Sequence, residues 1–326
     1  MTAVTLDHVA EAAGVSPSTV SRALSRPHAV NASTLERVLN AAKSLGYERS
    51  PRRDRSAETS WAIGISVPDI ANPVVAPLIK WAQHEARRND CTLVVWDFDE
   101  SAEDEATVAG DVIEHVNAVI LGSPRMSDDE VYEIAARVPT VTVNREVPDV
   151  AAVTFDDVGL AQAVEHLAAL GHHRIHYLAG PAASYSNARR SATLSRACER
   201  HGIEFMSIGP SQPTYESGLR LADIVLSMGA GAVVAFNDLI ALGLMSGLRA
   251  RGVTIPSEVS VVGIDDIWLD DVAVPPLTTV RTPWRGAGTA AVRTLLDMRL
   301  ATDGVTAPMT TLPTELIVRA STSVAR

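Results

Sequence analysis

Apolar residues recur along the first fifty positions at helical spacing. Leu6, Val9, Ala10 and Ala13 lie on one face, Val20, Ala23 and Leu24 on a second, and Leu35, Val38, Leu39, Ala42 and Leu45 on a third, with Gly46 placed to end the last helix. From Trp61 the period changes. Short apolar runs ("WAIGISV", "CTLVVW", "AVILGS", "TVTVN") alternate with helical segments at 74–88, 106–115 and 129–137. After Val153 the alternation resumes: a helix at 158–170, "RIHYLAG", 189–201, "IEFMSIG", 215–228, "AVVAF", 239–251, "VSVVGID". Continuous apolar strands between helices predict parallel sheets covered on both faces. The number of units predicts two such sheets. Ligands of such sheets bind beyond the strands' carboxyl ends, which singles out Asp69, Ser123, Asn144, Asn237 and Asp265.

Between the two patterns lies "YERSPRRDRSAETS", residues 47–60, with four arginines and no large apolar residue after Tyr47. It reads as a linker. Charge is divided there as well. The first sixty residues carry eight Lys/Arg and six Asp/Glu and the remainder 20 and 33, so a head of +2 precedes a body of -13 within a chain of -11. A slightly basic head on an acidic body points to nucleic acid at the head.

Thr5–Leu24, "TLDHVAEAAGVSPSTVSRAL", fits a helix-turn-helix. Thr5 caps the first helix, and Gly14 supplies the positive φ of the turn. Ser16 is an N-cap with Pro17 at the first helical position. Val15 and Val20 wedge the helices together. Pro17, Ser18, Ser21, Arg22 and Ser25 are left on the outer face: small hydroxyls that let the backbone approach phosphates, and one arginine able to reach a guanine edge. An ordinary capped helical hairpin fits the same pattern.

The order of residues adds to this. "VTLDHVAEAAGVSPSTVSRALS" with "VNASTLERVLNAAKSLGY" closely resembles the headpiece of the LacI/GalR family of bacterial transcriptional regulators. "IANPVVAPLIKWAQHEA", "LAALGHHRIHYLAGP", "AVVAFNDLIALGLMSGLRARGVTIPSEVSVVGIDD", "PPLTTVRTPWRGAG" and "LPTELIVRAST" are similar to the family's later signatures, in order. The resemblance implies an α/β core of two doubly wound parallel-sheet subdomains (periplasmic-binding-protein-like, type I) behind an N-terminal all-α helix-turn-helix headpiece. It implies the headpiece at 1–48, a hinge at 49–60 and an effector-binding core at 61–326. That core divides into an N-subdomain (about 61–153 plus 284–312) and a C-subdomain (about 154–283 plus 313–326). A cytoplasmic homodimer is implied, binding double-stranded operator DNA and a small effector in the cleft between subdomains, with no membrane partner and no cofactor. No leucine heptads close the sequence, so no tetramer is expected.

By the same resemblance Thr5, Ser16, Thr19, Ser21, Arg22 and Ser25 join the DNA surface, with Pro17 and Ser18 at its specificity positions. The hinge leucine that family members insert into the minor groove falls at Ser56. Arg52, Arg53 and Arg55 therefore predict a hinge that binds phosphates through charge instead of a wedge. In the core, Asp69, Asn144, Arg190, Asn237, Asp265 and Trp284 are the expected effector contacts. Arg190 and Asp265 suit charge-assisted bonds to vicinal hydroxyls and Trp284 suits the C–H face of a sugar ring. Read locally, Asn237 also fits a helix cap and Arg190 a solvated helix end. Val74 and Val75 stand where the family often has aromatic residues, and Pro213 or Tyr215 stands at another aromatic position. A sugar, polyol or nucleoside thus fits better than a purine.

Other chemistry is thinly represented. His166, His172, His173 and His176 cluster in sequence, but without carboxylate or cysteine at ligand spacing, so no metal is expected. Cys91 and Cys198 read as small core residues, and the acidic run 97–105 as a solvated loop and helix start. No GxSxG, Walker A, GxGxxG or HExxH pattern occurs, and no catalytic set is expected. No eighteen-residue apolar run and no secretory pattern at the start are present. An exported solute-binding protein and a sugar or nucleotide enzyme of the same core class are the rival readings; the missing export signal opposes the first and the missing nucleotide loop the second.

Overall fold

The computed structural model describes residues 5–17, 19, 20, 23, 30–45, 47, 61–300 and 307–326. Two compact units result, 1–59 and 60–326. Ser18, Ser21, Arg22, Leu24, Ser25, Gly46, Arg52, Arg53, Arg55 and Ser56 lie outside the described residues.

In the first unit a helix spans Leu6–Ala13 with Thr5 as N-cap, and the Thr5 amide donates to His8 Nδ1 at 3.1 Å. Gly14 ends it at φ 62°, a conformation that favours glycine. Ser16 Oγ then accepts the Thr19 amide at 3.2 Å, and Pro17 opens the second helix. A third helix spans Ala32–Ser44, its Asn31 cap accepting the Thr34 amide at 2.8 Å. Val9, Ala10, Ala13, Val20, Ala23, Val38, Ala41 and Ala42 form the core, with Val15 partly buried against it. Leu39 and Leu45, expected on the inner face, are 49% and 37% exposed. The buried stripe runs through Val38, Ala41 and Ala42, and Leu39 stands one step, about 100°, around the helix from Val38.

The second unit holds two six-stranded sheets. Strands β1 (Trp61–Val67), β2 (Cys91–Asp97), β3 (Ala118–Gly122), β4 (Thr140–Val143), β5 (Ala151–Phe155) and β11 (Met309–Leu312) make the first, in the order β11-β5-β4-β3-β1-β2, all parallel. The second contains β6 (Arg174–Leu178), β7 (Glu204–Ile208), β8 (Ala232–Ala235), β9 (Ser260–Asp265), β10 (Thr278–Arg281) and β12 (Glu315–Ile317), in the order β12-β10-β9-β8-β6-β7. Only β12 runs antiparallel among its paired strands. Helices α1 (Val75–Arg88), α2 (Ala102–Val112), α3 (Asp128–Ala135) and α9 (Trp284–Leu300) cover the first sheet. Helices α4 (Val158–Ala169), α5 (Tyr185–His201), α6 (Tyr215–Ser227) and α7 (Asp238–Ala250) cover the second, and α8 (Leu269–Val272) follows β9.

The chain passes between the sheets three times: after β5, between β10 and α9, and between β11 and β12. These passages put the carboxyl ends of β3, β4, β8 and β9 around one cleft. The apolar cores back this cleft, one in the second sheet around Tyr177, Leu178 and Leu194 and two flanking the first, around Ile63, Ile65 and Leu78 and around Met126 and Val131; Val74, Val75, Leu78, Phe236 and Trp284 belong both to a core and to the cleft wall. Both cysteines are free and buried. The four histidines are dispersed in role. His166 meets Thr322 Oγ1 at 2.8 Å, His172 meets Ser260 Oγ at 3.1 Å, His176 is fully buried on β6 and His173 is exposed. Among the described residues, no group of three or more His, Cys, Asp or Glu is arranged to hold a metal ion. No described helix is long and apolar enough to cross a membrane.

Candidate functional site: a cleft between two sheets

The cleft opens to solvent and spans about 490 Å³ when that open space is counted. Asn144, Arg190, Asn237, Asp265 and Trp284, all expected there, line it together. Their positions follow from the strand ends. Asn144 directly follows β4 and Asp265 ends β9, with φ of 62° and 122°. Ser123, beyond β3, has φ 49°. Non-glycine residues held there are strained, and such strain gathers where side chains must be aimed. Asn144 Nδ2 donates to Ser123 Oγ at 3.1 Å and to Ser186 Oγ, on the opposite sheet's α5, at 2.8 Å.

Arg190 lies in the second turn of α5. That helix begins at Tyr185, four residues earlier than its apolar pattern suggests, because Ser184 caps it by accepting the Asn187 amide. Arg190 is therefore 8% exposed, not a solvated helix end. Its Nη2 donates to Asp265 Oδ1 at 3.2 Å, its Nη1 to the Phe236 carbonyl, and its guanidinium lies 4.7 Å from the Phe236 ring centre. Asp265 Oδ1 also accepts Trp284 Nε1 at 3.2 Å. Burial raises the Asp265 carboxyl above its ordinary range, while the Arg190 charge pulls it back. The Trp284 ring meets Phe155 edge-on, with centroids 5.0 Å apart. Asn237 does both of the things its sequence allowed: Oδ1 caps α7 by accepting the Ile240 amide at 3.0 Å, and Nδ2 donates to the Pro213 carbonyl at 2.9 Å on the cavity wall.

Asp69 is the exception. It is not among the lining residues, and its Oδ1 accepts the Ala71 amide at 2.7 Å, shaping the turn that carries Asn72. Asn72, Val74, Val75 and Pro213 do line the cavity; Tyr215 does not and is 36% exposed.

Two residues escaped the sequence reading. Glu100 and Arg125 line the cavity as an ion pair, the first inside an acidic run read as solvated and the second just beyond an apolar strand. Glu105, taken for part of the same exposed run, is fully buried. It accepts the Arg125 and Met126 amides at 2.6 and 3.0 Å, fixing the loop that presents Ser123 and Arg125. Burial pushes its carboxyl up to about 7, and the two amide donors hold it down against that. The available signal was position: "SPR" directly follows an apolar strand.

Behind the cleft, Asp238 and Asp270 are buried against each other. Asp238 Oδ1 accepts Thr279 Oγ1 at 2.6 Å and Oδ2 accepts the Ile267 amide at 3.1 Å, tying α7 to the loop after Asp265. Burial raises both carboxyls; Asp238 further raises Asp270, and Asp265 further raises Asp238. An acid raised in the folded state stabilises below its unfolded range, near pH 4, and loses that contribution as pH climbs through the folded value. Asp270→Asn, which cannot ionise, should therefore melt higher than the parent at alkaline pH. Its advantage should grow by more than about 1.4 kcal/mol, one pKa unit's worth, between pH 6 and 9. Thermal melts of both proteins at the two pH values check this; parallel losses would contradict it.

The likenesses to known proteins agree with this arrangement. Residues 5–50 match "Bacterial regulatory proteins, lacI family", and residues 164–322 match "Periplasmic binding protein-like domain". The chain is 34% identical to the HTH-type transcriptional regulator MalR of Streptomyces coelicolor over 98% of its own length and 96% of that protein's. It is 31% identical to the repressor CytR of Escherichia coli K12, covering 98% and 97%. Among solved structures it is similar to a Lac repressor dimer bound to operator and the anti-inducer ONPF, with TM-score 0.74, 28% identity and coverage of 99% and 100%. A CelR–cellobiose complex gives 0.72, 29%, 98% and 99%. A helix-turn-helix unit joined to a two-sheet core with a polar cleft, matched over nearly its whole length by these regulators, makes this chain a member of the LacI family of bacterial transcriptional regulators.

Proposed function

We propose that the chain is a cytoplasmic, non-enzymatic homodimer that binds operator DNA and changes its affinity when a sugar, polyol or nucleoside occupies the cleft. One observation carries the reading. Arg190, Asp265 and Trp284 come from three separate elements and are joined through a single carboxylate oxygen, Asp265 Oδ1, at the wall of the cavity. A hydroxylated ligand there meets a guanidinium, a carboxylate and an indole face at once, as sugar recognition requires. Relatives support this: one similar structure is a complex with cellobiose and another, from Enterococcus faecium, has bound ribose.

In this proposal Asn144, Arg190, Asn237, Asp265 and Trp284 hold the effector, with Asn72 and Ser123 beside them, and Asp69 only shapes a turn. Thr5, Ser16, Pro17, Ser18, Thr19, Ser21, Arg22 and Ser25 form the DNA surface, and Arg52, Arg53 and Arg55 add phosphate contacts from the hinge at 49–60. A thermal-shift panel of sugars, polyols and nucleosides tests the effector class. A true ligand at a hundred times its dissociation constant should stabilise the core by roughly 2.7 kcal/mol. A panel with no response, in a protein that binds DNA, would remove the polyhydroxyl class.

A further inference from the structure

The cavity presents four ionisable side chains among the described residues: Glu100 and Arg125 on one wall, Arg190 and Asp265 on the other. Each arginine is already matched to a carboxylate. Arg125 meets Glu100 through Nε at 2.8 Å and Nη2 at 3.1 Å, and these side chains are 5% and 13% exposed. Arg190 meets Asp265 at 3.2 Å, with side chains 10% and 5% exposed. The formal charges on the lining therefore cancel, wall by wall.

We propose that this cleft selects an uncharged polyhydroxyl ligand and rejects its phosphorylated relatives, and that Glu100 sets this selectivity. The proposal rests on reading the cleft as a sugar-type effector site and narrows that class. A guanidinium has five N–H donors. Arg125 spends one on each Glu100 oxygen and one, from Nη1, on the Ser123 carbonyl at 2.6 Å. Two donors remain, beside carboxylate oxygens that keep free lone pairs. A sugar hydroxyl both donates and accepts, so it uses the pair as it stands. A phosphate only accepts at its charged oxygens, and at Arg125 it meets the Glu100 charge across the same guanidinium. Like charges so close, on side chains only 5% and 13% exposed, repel strongly.

Glu100 does not readily swing aside. Asp99 and Glu100 both adopt positive φ, 49° and 60°. Asp97 braces their turn by accepting the Asp99 amide at 2.9 Å and the Ile70 amide at 2.8 Å, and the Glu100 amide donates to the Pro68 carbonyl at 2.7 Å. Two consecutive strained residues, held by three bonds, aim one carboxylate at one arginine.

Calorimetry on the full chain tests the proposal with matched probes: cellobiose, D-ribose against ribose 5-phosphate, D-glucose against glucose 6-phosphate, and inorganic phosphate alone. The parent protein should bind a neutral sugar on the order of 100-fold more tightly than its phosphate ester. E100Q, which keeps the shape and removes the charge, should narrow that ratio by at least about tenfold and gain inorganic phosphate by a similar factor. A phosphate ester bound by the parent as tightly as its sugar would overturn the proposal, and so would an E100Q protein with no gain for either anion. Should no neutral sugar bind, the sugar reading fails by itself, and inorganic phosphate alone decides the charge rule: a gain in E100Q upholds it, no gain overturns it. E100A, melted alongside, supplies the same comparison if E100Q folds poorly.

Discussion

Arg190→Ala should abolish the ligand response and lower the melting temperature of the core. The side chain it removes neutralises Asp265, which is 6% exposed and keeps only the uncharged donors Trp284 and Thr282 besides. Breaking one side of a buried pair costs about 3–5 kcal/mol, since the other charge stays behind. Burial already holds the Asp265 carboxyl high, and Arg190 supplies the charge that offsets it. The variant should therefore lose further stability as pH rises, because an acid raised in the folded state resists ionising. Asp265→Asn is the gentler partner. It keeps the shape and loses a charged acceptor, a change of about 1.5–3 kcal/mol, or roughly 10- to 100-fold in ligand affinity. Calorimetry with any sugar that stabilises the parent protein measures both. Parent-like affinity in the two variants would place the ligand elsewhere.

Gly243→Ala should destabilise the second sheet's domain by about 3 kcal/mol or more, the high end for overpacking. A β-carbon on Gly243 of α7 would lie 2.0 Å from the Tyr215 carbonyl oxygen and 3.1 Å from the Gly218 Cα of α6. The two helices touch backbone to backbone there and cannot part without opening the core around Leu221, Ala222, Ile240 and Leu244. Glycine to alanine within a helix ordinarily gains about 0.5–1 kcal/mol, so the steric term must overcome that and set the sign. Gly110, inside α2, is the internal control. A β-carbon there meets nothing within 4 Å, and Gly110→Ala should hold or raise stability. Chemical denaturation of both variants decides, and equal effects would show that helix propensity, not α6–α7 contact, governs the site.

How far the sequence reached depended on whether a signal was local. Most central strands were legible because both of their faces are covered: β1, β3, β8 and β9 are nearly continuous apolar runs and β4 alternates threonine with valine, whereas β5 and β10, buried as well, were not read as strands. The edge strands β11 and β12 were not, since their residues stay exposed or half-buried and read like the polar segments around them. Helix starts were missed where a cap lies ahead of the apolar stripe, as Ser101 does for α2 and Ser184 for α5. The candidate site divides the same way. Asp265 and Asn144 follow strands and could be found by position, whereas the place of Arg190 in the cleft was reached through family resemblance. Glu100 and Glu105 were lost in an acidic run. What buries them are the loop after β3 and Arg125, about twenty or more residues away, and no local pattern carries that information.

The central claim is that occupancy of the cleft is felt by the headpiece. It is tested most directly by titrating the full-length protein onto a labelled duplex from upstream of its own gene, with and without a sugar shown to stabilise the core. The account predicts that the sugar changes the apparent DNA affinity by about 5- to 150-fold, the usual range of coupling between two sites, and that Arg190→Ala removes the change. Identical DNA binding with and without saturating sugar, on a duplex the protein recognises specifically, would contradict it.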